Sequence, residues 1–158
     1  MIRYSALALT FVLGACAGAT ASTRASAPPT PPPAPALEGA ASAPASVVNL
    51  ADARRRSPPG GKASIAVMAR GEAAFLGVLE LPGGGAVPEH QDLTEEYIYV
   101  LEGGGTITVD GEQHSLSPGS AVFMPAGATV SYQNGDEALV ALQVFAGPES
   151  ADKYERWE

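Results

Sequence analysis

Over residues 63–145 the chain is written in short apolar runs, each ended by turn-forming residues, at a spacing of roughly 8 to 12 residues. That pattern points to an all-β sandwich or barrel, and no helical stretch competes with it. Strands are predicted over 64–69, 73–81, 96–101, 106–110, 121–124, 129–133 and 139–145. Asp110-Gly111 is the dipeptide of a two-residue hairpin that needs positive φ, and Asn134-Gly135 gives the same signal between the last two runs. Pro118-Gly119 marks a further reversal. The run 96–101 is apolar on both faces, so it requires cover from a barrel interior on one side and from a second layer or a partner subunit on the other. Tyr97 and Tyr99 are therefore candidates for interface aromatics or for packing within the chain.

Only part of the 158 residues is available for that domain. Residues 1–15 read as a signal peptide. Arg3 gives an early positive charge, the apolar stretch 6–13 is too short to span a bilayer, and small residues lead up to Cys16. The stretch Leu13, Gly14, Ala15, Cys16 resembles the lipobox of bacterial lipoproteins, whose cysteine is lipidated and becomes the mature N-terminus. Cys16 is the only cysteine, so it has no internal disulfide partner. The resemblance implies a lipid-anchored protein of the bacterial cell envelope, with the membrane as a partner through the acyl chains. Ala17 after the cysteine points to the periplasmic face of the outer membrane.

Residues 16–61 read as a Pro/Ala/Ser-rich tether, with too little apolar side chain to offset the entropy of ordering. Arg54, Arg55 and Arg56 near its end form the only basic cluster and read as a solvated linker terminus, the alternative being a contact with anionic lipid headgroups or with the acidic domain that follows. The barrel is assigned to 62–148, and 149–158 to a C-terminal tail whose Trp157 is expected on the barrel surface. From Lys62 onward 4 basic residues face 15 acidic ones, an excess of 11 negative charges. A domain of that sign gains nothing from releasing phosphate counterions, which excludes nucleic acid as a partner.

Candidate chemistry gathers at His90, Asp92 and Glu96. They share one parity, and in an extended strand side chains of one parity leave by the same face and can converge inside a barrel. Their surroundings resemble the cupin family, a double-stranded β-helix of jelly-roll type. The first cupin motif, G-x5-H-x-H-x3-E-x6-G, is met by Gly84, His90, Asp92, Glu96 and Gly103, with Asp92 where a second histidine is usual. The second, G-x5-P-x-G-x2-H-x3-N, is met by Gly119, Pro125, Gly127 and Asn134, with Val130 in the histidine position. The resemblance implies a metal held by three histidines and a glutamate, often iron, manganese, nickel or zinc.

Carried over residue by residue, that ligand set is incomplete. Asp92 can supply a hard oxygen donor, but Val130 supplies none and adds apolar surface to the pocket wall. One His with two carboxylates is still a relative of the facial triad. The site at His90, Asp92 and Glu96 is accordingly expected to hold one divalent metal weakly or not at all. Without a metal, the facing carboxylates raise one pKa of the pair and share a proton, and His90 serves as a hydrogen-bonding or general-base group.

Val130, Tyr132 and Gln143 are the pocket candidates. Gln143 sits in an otherwise apolar run and, if it faces inward, needs a buried partner. Val140, Leu142 and Val144 are equally able to be the inward set. His114 follows the Asp110-Gly111 turn outside both motifs and reads as a surface histidine, while Glu95 has the solvent-facing parity. The expected function is a barrel that binds a small molecule beside a degenerate metal centre. The alternative is a metal-dependent enzyme, dioxygenase- or isomerase-like, using His90, Asp92 and Glu96. The resemblance also implies a homodimer formed through the outer sheets.

Overall fold

The structure, a computed structural model, describes residues 44–158. The predicted signal peptide, Cys16 and most of the tether lie outside the described residues. The strands are β1 (Arg54–Arg56), β2 (Ser64–Arg70), β3 (Ala74–Leu81), β4 (Ala86–Gln91), β5 (Glu95–Glu102), β6 (Gly105–Val109), β7 (Glu112–Leu116), β8 (Ala121–Met124), β9 (Thr129–Asn134) and β10 (Leu139–Ala146). They form two antiparallel sheets, ordered β1-β2-β3-β10-β5-β8 and β4-β9-β6-β7. The last strands return to lie between early ones, β10 between β3 and β5 and β9 between β4 and β6, as in a jelly roll. The all-β double-stranded β-helix expected from the sequence is the fold found.

Alternation places the core. In β10, Leu139, Ala141, Gln143 and Phe145 are buried, while Val140, Leu142 and Val144 are only partly covered on the other face. This settles the facing of Gln143, which points inward at 4% exposure. One apolar cluster, around Leu81, Val100, Ile107, Met124 and Leu139, lines the space between the sheets. A second, Ile65, Phe75, Phe145, Ala151 and Tyr154, closes one end of the barrel. On the outer face of β5, Tyr97, Tyr99 and Leu101 are exposed, and Phe123 of neighbouring β8 packs on Tyr97 with ring centroids 5.1 Å apart. The doubly apolar strand is thus covered on one side only among the described residues.

Several local expectations are corrected. β1, β4 and β7 are additional to the seven predicted strands, although the parity reading of His90 takes its run as extended; all three lie at sheet edges and carry charged residues. Edge strands tolerate charge and proline, which protect unpaired backbone from pairing with other chains. The three arginines are accordingly a strand paired with β2, not a solvated linker end, and Arg55 bonds Glu80 at 2.6 Å. Asn134-Gly135 does not make a hairpin, because β9 and β10 belong to different sheets. Asp110-Gly111 does, with φ of 49° and 85°. The tail is a 3-10 segment, Pro148–Arg156, that buries Ser150, Ala151 and Tyr154 against the barrel end. Trp157 packs edge-on to Tyr154, centroids 4.7 Å apart.

Gly103 shows how tightly the topology is drawn. Its φ is +71°, and a Cβ there would lie 2.1 Å from the Ala138 carbonyl oxygen. No other residue fits where β5 leaves the sheet.

Candidate functional site

His90, Asp92 and Glu96 do not share one strand. His90 lies near the end of β4, Asp92 in the turn that carries the chain from one sheet to the other, and Glu96 in β5. They nevertheless come together, with one donor atom of each within 4.8 Å of the others. Two local devices aim them. The β4–β9 register slips between Val87 and His90, around Pro88, and the slip turns the end of β4. The backbone carbonyl of Asp92 then accepts a hydrogen bond from Gly127 N–H at 2.8 Å, tying the second motif to the turn of the first.

Val130 is paired with His90 across β4 and β9, so the position left without a donor lies directly beside the imidazole. Tyr132, also inward on β9, donates its hydroxyl to Asn134 Oδ1 at 3.0 Å. Asn134 Nδ2 in turn holds the carbonyls of Pro82 and Glu137, both at 2.9 Å. His114 is on edge strand β7, exposed, beside Glu112 at 3.8 Å.

Two residues that the sequence reading left out belong to the site, and both come from the tail. The Lys153 ammonium donates to both oxygens of Asp92, at 2.8 and 3.0 Å. It also lies over the Phe145 ring, 4.9 Å from its centroid. The Tyr154 hydroxyl donates to Gln143 Oε1 at 2.6 Å, and Gln143 Nε2 donates to Glu96 Oε1 at 2.5 Å. This chain from tail to carboxylate fixes the amide orientation of Gln143 and satisfies three buried polar groups at once. No buried side-chain polar atom among the described residues lacks a partner.

The electrostatics follow from these contacts. Burial by itself would raise the Asp92 carboxyl, but the hydrogen bonds and charges of His90 and Lys153 outweigh it and hold Asp92 below the usual carboxylate range. The Asp92 contact at 3.4 Å lifts His90 above its ordinary value against its partial burial. Burial pushes Glu96 up, opposed by the Gln143 hydrogen bond and the Lys153 charge. Tyr154 is driven upward by burial and stays a neutral donor.

Behind this polar floor opens an apolar cavity of about 420 Å³, walled by Leu81, Ile98, Ile107, Met124, Val130 and Leu139 among others. Gln143, Glu96, His90 and Lys153 line its polar side, and the partly exposed Pro58, Ala63 and Trp157 also line it.

Residues 77–145 match the family model described as the cupin domain. The uncharacterized protein SCO3923 of Streptomyces coelicolor is 32% identical over 75 residues, 48% of this chain and 71% of that protein. The chain belongs to the cupin family. A second match is to dimethylsulfoniopropionate lyase DddW of Ruegeria pomeroyi, 32% identical over 71 residues, 45% of this chain and 47% of the lyase, so the match spans about half of that relative. Among solved structures, KdgF from Halomonas sp. superposes with a TM-score of 0.60 at 18% identity, over 66% of this chain and 94% of that one, a likeness of fold.

Cupins often hold a metal, and His90, Asp92 and Glu96 form a group of donors that could ligate one. The Nδ1–H of His90 donates to the Pro88 carbonyl at 2.9 Å, which leaves Nε2 turned toward Asp92 as the ligand-type nitrogen. The fit is incomplete, however. Both Asp92 oxygens already carry an ammonium, one Glu96 oxygen carries Gln143, and Val130 closes the remaining corner. A divalent ion suits this donor set only once Lys153 has moved aside.

Proposed function

We propose that this cupin binds a small molecule in its barrel, and that its metal centre has degenerated into part of the pocket's polar floor. The observation that carries this reading is the cavity of about 420 Å³, apolar except at one side. Ligand sites of small proteins have that build, apolar walls that supply affinity and a few placed polar groups that fix orientation. The ligand class that matches is a compact, mostly apolar and uncharged molecule with one or two hydrogen-bonding groups. The floor itself offers paired charges, Lys153 with Asp92, and so favours neither a free anion nor a free cation.

Two measurements test it. Purified protein extracted into organic solvent and examined by mass spectrometry is expected to release such a molecule, and the emptied barrel to take up Nile red. Ala63→Trp, at a partly exposed lining position, is expected to reduce Nile red uptake about tenfold by filling cavity volume. Equal uptake by the variant and the wild type would remove the cavity from consideration.

A second reading, a metal-dependent enzyme of lyase, dioxygenase or isomerase type, is favoured by the convergence of three donors within 4.8 Å and by the similarity to a dimethylsulfoniopropionate lyase. Near-stoichiometric iron, manganese or zinc in protein purified without chelator, lost in His90→Ala, would establish it over the first.

The proposal places the barrel at the bacterial cell envelope, held through a lipidated Cys16 on the tether that precedes β1. Supporting this are the signal-peptide texture of residues 1–15 and the lipobox-like stretch ending at Cys16. Cells fed radioactive palmitate are expected to label the wild type and not Cys16→Ser, with the variant leaving the membrane fraction. Label retained in the variant would rule out this anchor.

A further inference from the structure

Lys153 is not a loose surface lysine that happens to reach a carboxylate. The segment that carries it is fastened on both sides of the residue. Before it, Ser150 Oγ accepts the backbone N–H of Thr94 at 3.1 Å, and Arg70 bonds Asp152 at 2.5 Å. After it, Arg56 donates to the Trp157 carbonyl at 2.8 Å, and Ser57 and Glu158 exchange two backbone hydrogen bonds of 2.8 and 2.9 Å. Between these fastenings the ammonium is delivered onto both oxygens of the one carboxylate that sits in a histidine position of the family motif, with the Phe145 ring beneath it. In a domain with 4 basic residues from position 62 on, one is spent here.

We propose that the Lys153 ammonium is the built-in cation of this centre: it occupies Asp92 in place of a divalent ion, and a divalent-cation site of His90, Asp92 and Glu96 opens when Lys153 is removed. The exchange is balanced in charge and geometry. Replacing a second imidazole by Asp92 adds a negative charge to the donor set, and Lys153 cancels it without a metal. An incoming divalent ion would meet a fixed positive charge at a few ångströms and lose one of its three donors to it, both of which weaken binding. With the ammonium gone, three convergent donors remain, two of them anionic, enough for an ion that completes its shell with water. The inference deepens the degenerate-centre reading above and rests on it, but does not depend on which small molecule fills the cavity.

The test is calorimetric titration of full-length protein with Co²⁺ and Zn²⁺, comparing wild type, Lys153→Met and Lys153→Arg, with Co²⁺ absorption as a report on the ligands. Lys153→Met is expected to tighten Co²⁺ binding by about tenfold or more, as removal of one close, partly screened charge predicts. Lys153→Arg, which keeps the charge, is expected to match wild type. Adding His90→Ala to Lys153→Met is expected to abolish the gain. Equal Co²⁺ affinity in wild type and folded Lys153→Met would overturn the proposal, as would tight binding already present in wild type. If Lys153→Met does not fold, Lys153→Gln is held to the same two criteria. Nile red uptake measured on the same samples separates the outcomes, since a failed metal result with intact uptake sinks this inference alone, and lost uptake in wild type sinks the pocket reading.

Discussion

Phe145→Ala is expected to lower the unfolding free energy by about 3–5 kcal/mol, the range for removing a large aromatic ring from a core that cannot collapse around the gap. Phe145 is fully buried at the centre of the end cluster, with its ring 6.1 Å from that of Phe75 and 6.4 Å from that of Tyr154. It also forms the apolar bed under the Lys153 ammonium. The substitution therefore removes core volume and loosens the tail together. Urea denaturation followed by fluorescence of Trp157, the single tryptophan, measures the first effect. Limited trypsin digestion measures the second: cleavage after Lys153 is expected to be slow in wild type and several-fold faster in the variant, because the peptide must leave the barrel end to enter a protease. A loss below about 1 kcal/mol with unchanged cleavage would show that the tail is held by something other than this cluster.

Gln143→Leu is nearly isosteric, yet it is expected to cost about 2–4 kcal/mol. The change strands two buried groups, the Glu96 carboxyl at 6% exposure and the Tyr154 hydroxyl, and each buried polar group left without a partner costs about 1–3 kcal/mol. The apolar gain of leucine offsets part of that. Gln143→Glu is the complementary variant: its carboxyl can still accept from Tyr154 but cannot donate to an ionised Glu96, so it is expected to be destabilised more at neutral pH than at acid pH, where one of the two carboxyls is protonated. Denaturant midpoints at two pH values read this directly. Equal stability of wild type and Gln143→Leu would mean that the relay from Tyr154 to Glu96 carries no net energy.

The contrast between these sites shows what a sequence can and cannot disclose. The motif glycines, His90, Asp92, Glu96 and the alternating runs of β2, β3, β6, β9 and β10 were legible, because each is a local pattern: a spacing, a parity or a turn dipeptide. Strands β1, β4 and β7 were not, since charge or proline at these three sheet edges interrupts the apolar alternation that marks a strand, whereas the fourth edge, β8, is apolar and was legible. The convergence of the three donors was anticipated for an incomplete reason. A parity argument placed them on one strand, whereas the chain changes sheets between Asp92 and Glu96, and the register slip near Pro88 does the aiming.

Lys153 and Tyr154 were the real omission. They meet Asp92 and Gln143 across sequence separations of 61 and 11 residues, from a tail with no strand pattern. The available signal was compositional. In so acidic a domain each basic residue has carboxylates to choose from, and a lysine followed by Tyr154 and Trp157 lies in a segment with aromatic area to bury.

The fastening of the tail to the start of the domain has a mechanical meaning. Arg56 and Ser57, where the chain first joins the barrel, are bonded to Trp157 and Glu158, where the tail that helps line the cavity finishes. β1 is three residues long and lies at a sheet edge, so tension applied through the preceding chain reaches that joint before it reaches any central strand. A pull from the N-terminal side would release the tail first and leave the barrel walls standing.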